Sequence, residues 1–145
     1  MKYKWFVVVL LLGVYLGCGN DDRSLENQNN PYIPNYNFSY TINLSLPQFS
    51  NLLYPSNAVY INSQGVGVRG VYVFNTGSDY VAYEAACPNQ GLSDCSTMEL
   101  EGVYLKCLCD QSKYSLFSGE SNTEQYPLLN YRTVLVNETT LKIYN

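Results

Sequence analysis

The chain is 145 residues long, with 8 basic against 12 acidic residues and a formal net charge of −4. At this length one domain is the default, and the acidic balance argues against nucleic acid as a partner, which rewards clustered Lys and Arg. The chain has no histidine, so Ser/His and Cys/His nucleophile pairs are excluded, and no other catalytic constellation emerges from its scattered carboxylates.

Lys2 and Lys4 precede an apolar run, residues 5–16, that ends at Gly17-Cys18. A basic start, a short apolar run and a small residue before a break predict a secretory signal over residues 1–17. The run is shorter than the roughly 20 residues a spanning helix needs. Leu16-Gly17-Cys18 resembles the lipobox of bacterial lipoproteins, with Tyr15 standing where Leu is usual. That resemblance implies a lipid on Cys18 and a mature chain of six basic and twelve acidic residues. Such a chain reaches the membrane through its lipid rather than by attraction to anionic headgroups. Residues 18–37 are polar, Asn-rich and punctuated by Pro31 and Pro34, the composition of a flexible tether. Asp21-Asp22 resembles the surface-export signal of Bacteroidetes lipoproteins, and an ordinary solvated linker reads the same way. The expected address is the bacterial cell envelope, as an outer-membrane lipoprotein on its periplasmic or surface face.

From Phe38 to the end, residues 38–145, the texture is that of β structure. Phe38, Tyr40, Ile42, Leu44 and Leu46 alternate with polar residues, the period of a half-buried strand. A Pro- and Ser/Asn-rich loop leads to a short strand at Ala58–Ile61. Gly70–Phe74 and Asp79–Tyr83 flank Asn75-Thr-Gly-Ser, a hairpin turn with Gly available for positive φ. Met98–Leu108 reads as a hairpin broken at Gly102, and Thr133–Val136 with Thr140–Tyr144 as another around Asn137-Glu-Thr. No helix of ten residues and no internal repeat is found. Short strands with regular turns predict an all-β sandwich or barrel.

Setting Cys18 aside leaves Cys87, Cys95, Cys107 and Cys109. Exported compartments favour disulfides, and four cysteines allow three pairings. Their spacing, C-x₇-C-x₁₁-C-x-C, lacks the paired C-x₂-C of zinc ribbons.

The clusters Cys87-Pro88-Asn89-Gln90-Gly91 and Cys107-Leu108-Cys109-Asp110-Gln111-Ser112-Lys113-Tyr114 resemble the two boxes of a Rieske iron–sulfur domain, C-x-H-x-G and C-x-C-H-G-S-x-F/Y. The flanks extend the resemblance over about residues 56–145, with Phe117-Ser-Gly119, Tyr126-Pro-Leu128 and Tyr131 similar to the family's later pattern. It implies an antiparallel β domain with a two-loop, cysteine-rich tip. In the family each box supplies one Cys and one His to a [2Fe–2S] cluster. Here Cys87 and Cys107 match the thiolate positions, while Asn89 and Asp110 stand at the histidine positions. A neutral amide and a hard carboxylate are poor replacements for imidazole on iron, and Gln111 replaces the box-two glycine. No cofactor and no metal are therefore expected, and the cluster positions are read as degenerate. The resemblance further implies a Cys95–Cys109 disulfide, since relatives bond the second box-two Cys to a Cys just after box one. It leaves the former thiolate partners as Cys87–Cys107. The expected function is a disulfide-stapled binding or structural module, not an enzyme, with an envelope protein or a glycan as partner. The alternative is electron transfer through an atypical iron–sulfur cluster or a dithiol/disulfide pair.

Overall fold

The computed structural model describes residues 30–145. The signal segment, Cys18, Asp21-Asp22 and the first part of the tether lie outside the described residues. Among the described residues nine strands follow in chain order: β1 (Ser39–Asn43), β2 (Ala58–Ile61), β3 (Val71–Asn75), β4 (Tyr80–Glu84), β5 (Glu99–Glu101), β6 (Tyr104–Lys106), β7 (Lys113–Ser115), β8 (Asn130–Asn137) and β9 (Thr140–Tyr144). All pairings are antiparallel. They form a six-stranded sheet, β1-β9-β8-β4-β3-β2, and a three-stranded sheet, β5-β6-β7. The fold is all-β.

β3 explains why two cores exist. Its run Val-Tyr-Val-Phe-Asn is buried throughout, because strand alternation sends successive side chains to opposite faces and both faces are covered. Val71 and Val73 enter one core with Ile42, Leu52, Leu141 and Ile143. Tyr72 and Phe74 enter the other with Met98, Leu105, Tyr114, Leu116 and the sulfurs of Cys87 and Cys107. This second core lies between the two sheets, so the cysteine tip is anchored in apolar packing. Each fully buried side chain of this size contributes about 1.5–3 kcal/mol.

Three local departures from sequence periodicity have physical causes. Pro47–Leu53 forms a 3-10 helix in the stretch read as a loop. With three residues per turn, Phe49 and Leu52 lie on one side, and both are buried in the first core. Leu46, expected inside by alternation, is 43% exposed because β1 ends at Asn43 and Leu46 becomes the cap of that helix. β8 begins three residues before the expected strand, since Tyr131 pairs with Ala82. Beyond that pair the backbone of β8 pairs with β9 while the Thr133 hydroxyl still donates to the Tyr80 carbonyl (2.7 Å), and Val134, Leu135 and Val136 are exposed.

The last part of the tether, residues 30–37, lies on the domain. Asn30 accepts hydrogen bonds at its side-chain oxygen from the amides of Tyr32 (2.8 Å) and Ile33 (3.1 Å), and its amide donates to the Pro88 carbonyl at 2.8 Å. Ile33 is buried in the first core, Tyr32 meets Tyr126 edge-on, and Asn145 donates to Asn35 and to the Tyr36 carbonyl.

Glu84 at the end of β4 is fully buried. Its Oε2 accepts from the Val68 amide (2.7 Å) and the Tyr131 hydroxyl (2.5 Å), and its Oε1 from the amides of Arg69 (2.7 Å) and Ala86 (3.1 Å). An ionised carboxylate accepts about four such bonds, so its capacity is filled. Gly67, at φ 67°, lets the 66–70 turn close over it: a Cβ there would stand 2.8 Å from Oε2. Burial, and then the neighbouring Glu84, push the Tyr131 hydroxyl well above the usual phenol range.

Candidate functional site

β4 runs through Ala85 and Ala86 into the first tip loop. The Cys87 amide donates to the Ser96 carbonyl (2.8 Å), and Ala86 and Thr97 form an isolated bridge, so residues 88–96 close into a loop beyond the end of β4. The second loop follows β6. There the Cys107 amide donates to the Ser112 carbonyl (2.9 Å) and the Gln111 amide to the Cys107 carbonyl (3.0 Å). Gln111 holds φ 66°, a conformation that suits glycine far better than a side chain. Its amide group donates to the Leu108 carbonyl at 3.0 Å. The turn is kept although the residue has changed.

The loops are joined twice. Cys87 is bonded to Cys107, 20 positions apart, and Cys95 to Cys109, 14 apart. The first bond is buried, with Cys87 1% and Cys107 0% exposed. The second is at the surface, Cys95 exposed and Cys109 half-buried. The sulfurs of Cys87, Cys107 and Cys109 all lie within 4.8 Å of one another.

Asn89 and Asp110 belong to one hydrogen-bonded chain. The Asn89 amide donates to the Tyr114 hydroxyl (3.0 Å) and to the Tyr126 carbonyl (2.7 Å), and its oxygen accepts from the Tyr126 amide (2.8 Å). Asp110 Oδ1 accepts from the Ser112 amide (2.9 Å) and hydroxyl (2.5 Å). Ser112 Oγ lies 3.3 Å from the Tyr114 hydroxyl. Tyr114 is fully buried, and burial raises its hydroxyl pKa against the opposing pull of the Ser112 and Asn89 hydrogen bonds. The network thus runs from Asp110 through Ser112, Tyr114 and Asn89 to the backbone of Tyr126, sewing both loops to the proline segment.

The residues present do not fit a [2Fe–2S] cluster. Two soft donors are consumed by their mutual bond, and the two hard groups at the histidine positions already serve as hydrogen-bonding partners of the loops. Imidazole has no counterpart in the donor set.

Sequence reasoning singled out neither Gln90 nor Ser93. Gln90 Nε2 reaches Cys107 Sγ at 3.1 Å. Ser93 Oγ lies 3.3 Å from Cys95 Sγ and 3.6 Å from Cys109 Sγ. Gln90 stands beside Asn89 in the first box, but nothing in composition marks a lone amide as a sulfur partner. Glu99 and Glu101 are exposed, as a solvated strand face should be, and Glu101 pairs with Lys113 at 2.8 Å.

The two loops, their cysteines and the antiparallel sheets behind them resemble a Rieske-type domain. Among solved structures the chain is similar to a chain of the complex of reduced oxygenase and oxidized ferredoxin in carbazole 1,9a-dioxygenase, with 20% identity, 62% of this chain and 82% of that chain covered, and a TM-score of 0.44. It is similar to a Sphingomonas yanoikuyae B1 ferredoxin at 12% identity, covering 63% of this chain and 88% of that one, TM-score 0.44. Similarity to the apo form of a quaternary ammonium Rieske monooxygenase reaches a TM-score of 0.49 at 11% identity, over 81% of this chain and 35% of that one. No family profile and no curated protein matches the sequence.

Proposed function

We propose that this chain is an exported lipoprotein whose Rieske-like domain carries no cluster and serves as a disulfide-stapled binding or structural module. One observation carries the reading: Asn89 and Asp110 are committed to the hydrogen-bonded chain through Tyr114, while Cys87 is bonded to Cys107. The two bonds and the polar chain hold the loops together as a bound cluster would. The partner is an envelope protein or a glycan, and the membrane is reached through lipid on Cys18. The domain is not assigned a catalytic reaction.

Two measurements test this. The purified chain, reduced and reconstituted anaerobically with iron and sulfide, is expected to stay colourless; visible Fe–S absorption with about two irons per chain would overturn the cluster-free reading. Cys18→Ala is expected to move the protein from the membrane fraction to the soluble fraction, and unchanged membrane association would sink the lipid anchor.

A second reading, redox function through a dithiol/disulfide pair, draws support from the proximity of three sulfurs, Cys87, Cys107 and Cys109.

A further inference from the structure

We propose that the two disulfides form an exchange relay, in which a dithiol reductant acts at the exposed Cys95–Cys109 bond and Cys109 then transfers the reduction to the buried Cys87–Cys107 bond. This rests on the cluster-free reading above, because Cys87 and Cys107 must be bonded to each other rather than to iron.

Access divides the work. Thiol–disulfide exchange needs a thiolate to reach a disulfide sulfur. Cys87 and Cys107 are 1% and 0% exposed, so an external thiol cannot approach them without opening the tip. Cys95 is exposed and open to attack. The external dithiol's first thiolate bonds to Cys95 Sγ, and the Cys95–Cys109 bond breaks with its electron pair on Cys109. The dithiol's second thiol then displaces Cys95, which takes a proton, and the dithiol departs as a disulfide. Ser93 Oγ, within hydrogen-bonding reach of both outer sulfurs (3.3 and 3.6 Å), stabilises the thiolate that forms.

Cys109 Sγ now lies within 4.8 Å of both inner sulfurs. Attack on Cys87 forms Cys87–Cys109, breaks Cys87–Cys107 and leaves the electron pair on Cys107, which later takes a proton from water. Two observations select Cys87 as the sulfur attacked. A bond to Cys107 would join residues only two apart in the chain and strain the intervening backbone. The leaving sulfur on the chosen route is Cys107, and the Gln90 amide already donates to it at 3.1 Å, which favours the thiolate over the thiol. The two electrons lost by the dithiol leave the chain with one disulfide, Cys87–Cys109, and thiols on Cys95 and Cys107.

The test uses the full chain in detergent and one equivalent of dithiothreitol as the dithiol, followed by acid quench, alkylation and peptide mapping. The expected result is alkylation at Cys95 and Cys107 with a linked Cys87–Cys109 peptide. Alkylation at Cys95 and Cys109 with Cys87–Cys107 intact would overturn the relay. The Cys95→Ser variant reads the second step without reductant. The single free thiol of its tip is expected on Cys107 in at least half of the chains, and Gln90→Leu in that background is expected to return the label to Cys109 by threefold or more. A label confined to Cys109 in Cys95→Ser contradicts the proposal. In Cys109→Ser, reduction of the Cys87–Cys107 bond should slow at least tenfold, and an unchanged rate would mean direct attack. Iron reconstitution distinguishes the two failures: a chain that binds iron has lost the premise, whereas a colourless chain without exchange has lost only the relay.

Discussion

Glu84→Gln is expected to lower the unfolding free energy by roughly 2–6 kcal/mol, because the amide nitrogen of glutamine would confront two of the four donors that the carboxylate now satisfies, each costing about 1–3 kcal/mol when buried unpaired. The acid is fully buried and is the acceptor for Val68, Arg69, Ala86 and Tyr131. A small domain holds only about 5–15 kcal/mol in total, so this one substitution takes a large share of it. Urea unfolding of variant and wild type at neutral pH measures the difference. A loss below about 0.5 kcal/mol would show that the 66–70 turn and Tyr131 do not depend on the carboxylate. Tyr131→Phe, which removes one donor and leaves the acid with three, should cost less than half as much.

Replacing the inner pair, Cys87→Ala with Cys107→Ala, is expected to cost about 3–5 kcal/mol, and replacing the outer pair, Cys95→Ala with Cys109→Ala, about 2–3 kcal/mol. Chain entropy alone hardly separates them: separations of 20 and 14 residues differ by only about 0.3 kcal/mol in loop-closure terms. Burial supplies the rest. The inner sulfurs sit in the second core with Tyr114, Met98 and Leu105, so truncating them leaves a cavity as well as a freer unfolded chain. The outer pair loses little packing. Equal losses for the two double variants would mean that the inner sulfurs act as a tether only.

Much of this architecture was legible where chemistry and periodicity are local. Ala58–Ile61 and Thr140–Tyr144 coincide with β2 and β9, and the Asn75-Thr-Gly-Ser turn joins β3 to β4. Each is set by residues within a few positions of one another. The 3-10 helix escaped because Pro-Gln-Phe-Ser-Asn-Leu-Leu is too short to display a helical period. β7 escaped because two of its three residues, Lys113 and Tyr114, lie inside a box read for its chemistry. The second core side of β3 could be inferred from its unbroken apolar run, but its partners could not. In the tip, the cysteines and the residues at the histidine positions were marked by the resemblance of the two boxes. The polar chain did not, since Asn89 and Tyr126 are 37 positions apart and nothing in either neighbourhood points to the other. Glu84, the one charge between Tyr80 and Cys87, was a visible signal that composition alone gave no reason to prize.

Asn30 sets a geometric limit on where this tip can work. Its amide holds the Pro88 carbonyl, one residue from Cys87, so the chain joins the domain beside the sulfurs. Twelve residue steps lead from Cys18 to Asn30, and a fully stretched chain spans at most about 3.6 Å per residue. With a lipid on Cys18, the leash is therefore no longer than about 40 Å, and it is fastened at the working end. The body of the domain can swing outward; the tip cannot follow it. If Cys18 carries the proposed lipid, any molecule that meets these sulfurs must come within that radius of the bilayer surface, which would favour other membrane-held proteins over those diffusing freely beyond it.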